Sequence, residues 1–210
     1  MRSNVRPLAL LLVAAGLFAL FAWFGRYVTA HGEPAALLVF AKQVRAHAIG
    51  LAWAFTNCGW VQVLGPLYLA CIFIAVRFPA WRARMVYLIA SGLLSWLAAD
   101  RFQHVFARPR RSDWLLRHEH AFSYPSSHAS TSTGFYLLAA VLVLRSDLPP
   151  NARYAGFAAL TAMWLGICWS RLSLAAHYPT DVAGGVILGA AIALLGAAVV
   201  RLAGKNTARA

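Results

Sequence analysis

Three groups of residues in the second half of the chain are suited to handling a multiply charged anion. They are Arg101 with Arg108-Pro109, then Pro125-Ser126-Ser127-His128, then Ser170-Arg171 followed by His177 and Asp181. Phosphoryl transfer needs fixed positive charge on the non-bridging oxygens, a nucleophile in line and an acid at the leaving oxygen. Arg101, Arg108 and Arg171 offer planar forks of donors matched to phosphate oxygens, and Ser126 adds a hydroxyl donor. Backbone N–H groups at Ser127 and His128 supply an anion-binding helix terminus if these residues open a helix. His177 and Asp181 stand four apart, so on a helix they share a face. The carboxylate then holds one imidazole nitrogen as a donor and leaves the other as a lone-pair nucleophile. Pro179 fits such a helix in its first turn, where no N–H is needed. His128 is left as the general acid, protonating the leaving oxygen and later accepting a proton from water.

Singly, each piece is weak. An Arg-Pro pair after a membrane span usually anchors it at the interface, and Ser-Arg or His-x3-Asp occurs by chance in many chains. Their order and their position at the edges of apolar runs carry the weight, because ionisable groups on membrane helices default to function.

The elements that must bring these groups together are membrane spans. With 210 residues, 61% hydrophobic and only 12% charged, and a mean hydropathy of +0.64, the chain is too apolar for an ordinary soluble domain. Its net charge of +13 raises nucleic acid as a partner, yet the basic residues sit between apolar runs rather than along one polar face. Anionic lipid and phosphate substrates account for them instead. Six apolar runs are visible, at about 8–25, 59–76, 85–100, 129–144, 154–169 and 182–202. Several fall short of the ~20 residues of a full span, so their flanks must add turns. Pro125 to His128 can begin the fourth helix, and Arg101 onward can extend the third. The expectation is an all-α, polytopic six-helix bundle forming a single domain over 1–210. Between the first two spans, Leu37, Leu38, Phe40, Ala41, Val44 and Ala48 recur at helical spacing, interrupted by Lys42, Arg45 and His47. That pattern suits a helix lying in the interface or a packed hairpin covering the bundle; either forms a rim at which a lipid enters.

The first run follows Met1-Arg2-Ser3-Asn4-Val5-Arg6, and Val28-Thr29-Ala30 resembles a signal-peptidase site. Its length, and the even number of crossings the other runs require, favour an uncleaved anchor. Taking the N-terminus as cytoplasmic puts ten basic residues inside and nine outside, a count that decides nothing alone. The inside ones are concentrated in short segments while Arg101, Arg108 and Arg171 belong to the candidate site, which places that site on the non-cytoplasmic face and both termini in the cytoplasm. Cys58, Cys71 and Cys168 have no paired spacing, so neither a disulfide framework nor a metal site is inferred. His118-Glu119-His120 matches no helical ligand pair and reads as a solvated loop.

Jointly, the three groups resemble the type 2 phosphatidic-acid phosphatases, a membrane superfamily related to the vanadium haloperoxidases. The family pattern runs Lys-x6-Arg-Pro, Pro-Ser-Gly-His, then Ser-Arg-x5-His-x3-Asp. Arg101 through Pro109, Pro125 to His128 and Ser170 through Asp181 fit it without a spacing error, within a region of about 85–200. The resemblance implies six helices and an outer-face site in bacterial members, hence a bacterial inner-membrane protein. It implies no metal or cofactor and no obligatory protein partner. It makes His177 the nucleophile, His128 the acid, Asp181 the orienting carboxylate, and Arg101, Arg108, Ser126 and Arg171 the phosphate binders. Arg101 stands where the pattern has Lys, replacing a compact ammonium by a wider fork. Ser127 stands where it has Gly, so its Cβ narrows the pocket or its hydroxyl adds a donor. The implied substrate is a lipid phosphate whose tail stays in the bilayer, undecaprenyl diphosphate first. Phosphatidate, phosphatidylglycerol phosphate and lipid A phosphates stand beside it, as does transfer to a second lipid instead of water. Arg110, Arg111 and Arg117 either touch a second phosphate or form a basic loop binding headgroups.

Overall fold

The computed structural model describes residues 7–111 and 122–207, the side chains of 203–207 excepted. Arg117, His118, Glu119 and His120 therefore lie outside the described residues, as do Arg2, Arg6 and Arg209. Six helices are long and apolar enough to cross a membrane, in agreement with the expected bundle. Helix α1 is Pro7–His31, followed by the short α2, Ala35–Val44. The second span joins α3, Ile49–Cys58, to α4, Val61–Arg77, and the third is α5, Pro79–Phe106. The fourth runs from α6, Ser127–Ser132, through a π-helical turn at Thr133–Leu137 to α7, Leu138–Leu144. The last two are α8, Pro150–Ser173, and α9, Pro179–Thr207. Proline opens α1, α5, α8 and α9, the helix position where its missing N–H has no partner to lose.

One boundary differs from the sequence reading. The second span begins at Ile49, ten residues before the apolar run, and breaks at Gly59 and Trp60. Thr56 and Asn57 interrupt the apolar pattern there, yet Thr56 is buried because it faces a polar partner, Arg171 on α8. Ahead of this span α2 ends at Val44, and the chain after it bonds to the end of α8. The Ala46 N–H donates to the Ser173 carbonyl at 2.9 Å and the Ser173 hydroxyl to the His47 carbonyl at 2.7 Å.

Helix α1 packs along α9, with Phe21 and Val28 fully buried, so the first run is an integral member of the bundle. Phe21, Phe102, Phe106 and Tyr124 form an aromatic knot, and the Tyr124 hydroxyl donates to the Phe21 carbonyl at 3.0 Å. A second cluster, including Leu64, Met85, Leu88, Phe135 and Ile167, joins α4, α5, the fourth span and α8.

The start of the fourth span lies against α9 through two glycines. A Cβ on Gly185 would run into the Ser126 carbonyl oxygen, and one on Gly189 would come 2.5 Å from that of Ser130. Their absence allows the backbones to meet, the small-residue contact by which helices associate in lipid. Gly185→Val is expected to lower stability by about 1–3 kcal/mol through overpacking. Gly65→Ala, where an added Cβ meets nothing within 4 Å, should be neutral or slightly stabilising in the same thermal unfolding assay in detergent.

Candidate active site

The chain reaches His177 through a tight helix ending. Ala176 N–H donates to the Arg171 carbonyl and Ala175 N–H to that of Leu172, both at 3.0 Å, the bond pair of a Schellman turn. Ala175 takes the left-handed conformation at φ 52°, where glycine is more usual. This turn carries the chain from Arg171, in the last turn of α8, to His177 just before α9. His177 therefore precedes α9 rather than sharing its face with Asp181.

The tautomer of His177 follows from its neighbours. Nδ1 lies 3.0 Å from the carbonyl oxygen of Ser123, which can only accept, so Nδ1 carries the proton. Nε2 is then a lone pair, and it faces Nη1 of Arg110 at 3.3 Å. Asp181, expected to hold the imidazole, has its Oδ2 3.6 Å from Nδ1, an ion-pair distance, while the Nδ1 hydrogen bond goes to the Ser123 carbonyl. The carboxylate is engaged elsewhere. Oδ1 accepts from Arg108 Nη1 at 2.5 Å, while Oδ2 accepts from the Ser123 hydroxyl and, at 2.8 Å, from the Tyr178 N–H. That last bond, from the residue capping α9 to a side chain in its first turn, is half of a capping box. Burial first, and the Arg110 guanidinium second, hold the His177 pKa down at about 4 although Asp181 pulls the other way.

Arg108 is turned inward just after α5 ends at Ala107, which adopts a left-handed φ of 48°. Besides Asp181 it donates to Thr180 Oγ1 at 2.7 Å and to Glu33 Oε2 at 2.9 Å, with its guanidinium 4.5 Å from the centroid of the Tyr178 ring. Glu33 also accepts from the Thr180 hydroxyl and, at 3.2 Å, from the Thr180 N–H. Arg110 donates to the Ala176 carbonyl at 3.1 Å, and Arg111 is buried with its guanidinium 5.7 Å from the Tyr178 ring centroid.

His128 is the second residue of α6. Its ring meets Trp60 edge to face at 5.4 Å and packs so closely on Gly59 that a Cβ there would be 2.7 Å from Cδ2. Nε2 is buried and has no hydrogen-bond partner among the described residues. Arg110, Arg171 and His177 all lie within electrostatic reach of this ring. Arg171 is buried and donates to Thr56 Oγ1 at 2.6 Å. Ser126 is the N-cap of α6, its hydroxyl accepting from the Ala129 N–H at 3.4 Å, and its own N–H donates to the Asp181 carbonyl at 3.0 Å. Ser127 opens the helix as expected and lines, with His128 and Thr131, a cavity of about 470 Å³ walled by Leu64, Leu93 and Trp96.

His128, His177, Asp181, Arg108, Arg171 and Ser126 are thus gathered at one end of the bundle. Arg101 does not join them. It is exposed on α5, whereas Gln103, two residues on and so ~200° around the helix, is buried and donates to the Pro125 carbonyl at 2.9 Å. Glu33, Thr56, Ser123 and Thr180 were not singled out from sequence. Glu33 had a signal, as one of only six acidic residues in a chain of net charge +13 and placed directly after a span. Ser123, acting through its carbonyl, had none.

Comparison with known proteins bears on both fold and site. A family model described as the PAP2 superfamily matches residues 81–205. Over 77 residues, 37% of this chain, the sequence is 39% identical to a lipid A 1-phosphatase from Rhizobium johnstonii; the match spans 28% of that relative's length. Among solved structures, the chain resembles a transmembrane PAP2-type phosphatidylglycerolphosphate phosphatase from Bacillus subtilis. The TM-score is 0.70 at 19% identity, over 88% of this chain and 94% of that one, a likeness of fold.

The geometry generates two expectations. Because protonation removes the Nε2 lone pair, the acid limb of the kcat/KM profile of a reaction that uses it should fall as pH drops through about 4. Arg110→Ala removes a cation from Nε2 and should move that acid limb up toward the ordinary imidazole value near 6.5, read from pH–rate profiles of both proteins. Separately, Glu33→Ala strips one carboxylate from a buried ion pair and should lower stability by about 3 kcal/mol in thermal or denaturant unfolding.

Proposed function

The chain belongs to the PAP2 superfamily, and from that premise we propose a hydrolase of phosphoric esters, an integral-membrane lipid phosphatase working through a phosphohistidine on His177. The observation that carries this reading is the buried, neutral His177, its Nε2 lone pair directed into a nest of guanidiniums. Arg108, Arg110, Arg111 and Arg171 contribute four positive charges against the two negative charges of Glu33 and Asp181. An excess of two in a buried setting suits the charge of a phosphate monoester dianion.

In the proposed reaction the phosphoryl group enters between Nε2 and the Arg110 fork. Nε2 attacks phosphorus, the bond from phosphorus to the ester oxygen breaks, and His128 gives its proton to that leaving oxygen. The dianion alongside favours the protonated form of His128 that this step requires. Water then attacks the phosphohistidine while His128 takes its proton, releasing orthophosphate and restoring Nε2. As the imidazole gains positive character, the Ser123 carbonyl and the Asp181 carboxylate stabilise it, the first by a hydrogen bond and the second by charge at 3.6 Å. Arg171 and the N–H groups opening α6 are the remaining phosphate donors. With Arg101 exposed on α5, its proposed contact to phosphate depends on the substrate reaching that face.

Two features support a lipid substrate. The cavity of about 470 Å³ runs from Ser127 and His128 between apolar walls of α4 and α5, a path for a tail whose head lies at the histidines. Arg110, beside Nε2, and Arg111, against Tyr178, are two separate guanidiniums that the two phosphates of a diphosphate could share. Undecaprenyl diphosphate is accordingly the first substrate proposed. A lipid A phosphate is the second, favoured by the similarity to the Rhizobium enzyme. We assign the site to the extracytoplasmic face of a bacterial inner membrane, with both termini cytoplasmic.

The test is phosphate release by detergent-solubilised protein from undecaprenyl diphosphate, phosphatidate and lipid A, with EDTA present throughout. His177→Ala should reduce turnover by on the order of 10³-fold or more. His128→Ala should nearly abolish it for lipid substrates while sparing an aryl phosphate, whose leaving group needs no proton. Asp181→Asn should cost less than loss of the nucleophile, and vanadate should inhibit. Normal rates in His177→Ala would sink the mechanism; product that forms only when an acceptor lipid is added would replace hydrolysis by transfer.

A further inference from the structure

The opposite end of the bundle holds a second basic site, unrelated to the histidines. Among the described residues Arg77, Arg82, Arg84, Arg145, Arg153 and Arg201 collect there, at the helix ends remote from His177, with Asp147 as the acid among them. Charge alone would make only a headgroup-facing rim. Three of these arginines, however, line a cavity of about 550 Å³ that continues into the bundle between α1, α5, the fourth span and α9. Arg84, Arg145 and Arg201 lie at one end of its lining; Leu10, Leu142, Leu194 and Ala197 supply apolar wall.

A second cavity, of about 1010 Å³, follows the seam of α5 and α9 past Val86, Leu94, Leu195 and Val199. The two share Ala83, Tyr87 and Val200, so Tyr87 stands between them, pinned by its hydroxyl donating to the Ala193 carbonyl. Depth agrees with this arrangement. From Arg145 back to Thr133, both lining the first cavity, the chain covers roughly 18 Å of helix axis. One leaflet of the hydrocarbon core is about 15 Å deep.

Two apolar clefts, the first of leaflet depth, divided by one tyrosine and headed by arginines, have the shape and charge of a diacyl glycerophospholipid with an anionic headgroup. We propose that this end binds one such lipid, its phosphate among Arg84, Arg145 and Arg201 and one chain on either side of Tyr87. The ligand is not a substrate, since the helices that carry the candidate catalytic groups bear them at their other ends. It belongs to the leaflet opposite the active site. Free phosphate is not the proposed occupant, because nothing in it fills the clefts.

Native mass spectrometry of the whole protein in detergent, titrated with phosphatidylglycerol or with phosphatidylcholine of the same chains, tests the proposal. The expected result is retention of one phosphatidylglycerol with at least a tenfold preference. Arg145→Gln, a change at an exposed residue, should reduce that preference, and R84Q/R145Q/R201Q should abolish it. Ala197→Trp, which fills the first cleft and leaves every arginine in place, should abolish retention. All three variants should keep their turnover of a short-chain phosphate ester, showing that the fold and the histidine site are intact. Equal retention of the two lipids, a preference that survives the triple substitution, retention that survives Ala197→Trp, or displacement of the lipid by vanadate or inorganic phosphate would each overturn the proposal. None of these outcomes depends on which substrate the histidines act upon.

Discussion

The guanidinium of Arg108 closes against two carboxylates from distant parts of the chain, and three chain segments are held in register by that contact. Glu33 comes from the connection after α1, Arg108 from the end of α5, and Asp181 from the first turn of α9. Each side chain is almost wholly buried, and an unpaired ion in such a place costs several kcal/mol. Neither carboxylate depends on Arg108 alone. Glu33 accepts from the Thr180 N–H and Asp181 from that of Tyr178, so both also cap α9 and lie at the positive end of its dipole. Two acids on one base leave the group negative, and Arg110, Arg111 and Arg171 then carry the balance past zero. The site's positive charge therefore rests on a neutralised foundation.

The same contact explains why the segment around Ser123 is where it is. Ser123 is fully buried, so its backbone groups must find partners in the protein. Ser123 N–H donates to the Arg108 carbonyl at 2.8 Å, its hydroxyl donates to Asp181, and its carbonyl accepts from His177 Nδ1–H. One serine thus reads out the positions of three candidate catalytic segments at once. Two residues further on, the Pro125 carbonyl is held by Gln103 and Ser126 N–H by the Asp181 carbonyl. With Gly185 and Gly189 admitting the backbone of α6, His128 is brought to the same end with no flexible linker in between. Preorganisation of this kind is what phosphoryl transfer asks of a protein, since positioning and electrostatics supply most of its catalysis.

Much of this was legible in the chain, and the failures share a cause. Six spans, the opening of the fourth at Ser127 and the place of Pro179 all followed from hydropathy and helix-end chemistry, which are properties of local sequence. Spacing also brought His128, Arg108, Arg171, His177 and Asp181 to one end. What sequence missed were partners rather than participants. His177 is oriented by a backbone carbonyl, and a carbonyl leaves no trace in residue identity. Arg101 keeps the spacing of the first group yet lies outward, because the helix turns Gln103 to the interior instead. The second span was read ten residues short because Thr56 and Asn57 lower its hydropathy, whereas burial of Thr56 is decided by Arg171, 115 residues away. Local pattern cannot anticipate a polar group whose partner is that remote.

The arginines show how far residue type underdetermines role. A count of basic residues on the two sides of the membrane is nearly even, ten against nine, and so silent about orientation. Burial leaves that balance as it is. Arg108, Arg111 and Arg171 are 3%, 6% and 2% exposed, so three of the nine have left the surface where headgroups would feel them. Their guanidiniums face carboxylates, a tyrosine ring and a threonine hydroxyl inside the bundle. At the far end Arg77, Arg82 and Arg145 are exposed and Arg84, Arg153 and Arg201 half-buried, at or near the helix ends. Among the described residues the exposed basic side chains are evenly divided, Arg77, Arg82 and Arg145 at the far end against Arg26, Lys42 and Arg101 at the histidine end. The positive-inside rule is then as silent on exposed charge as on the full count, and the buried guanidiniums are placed by their partners within the bundle instead.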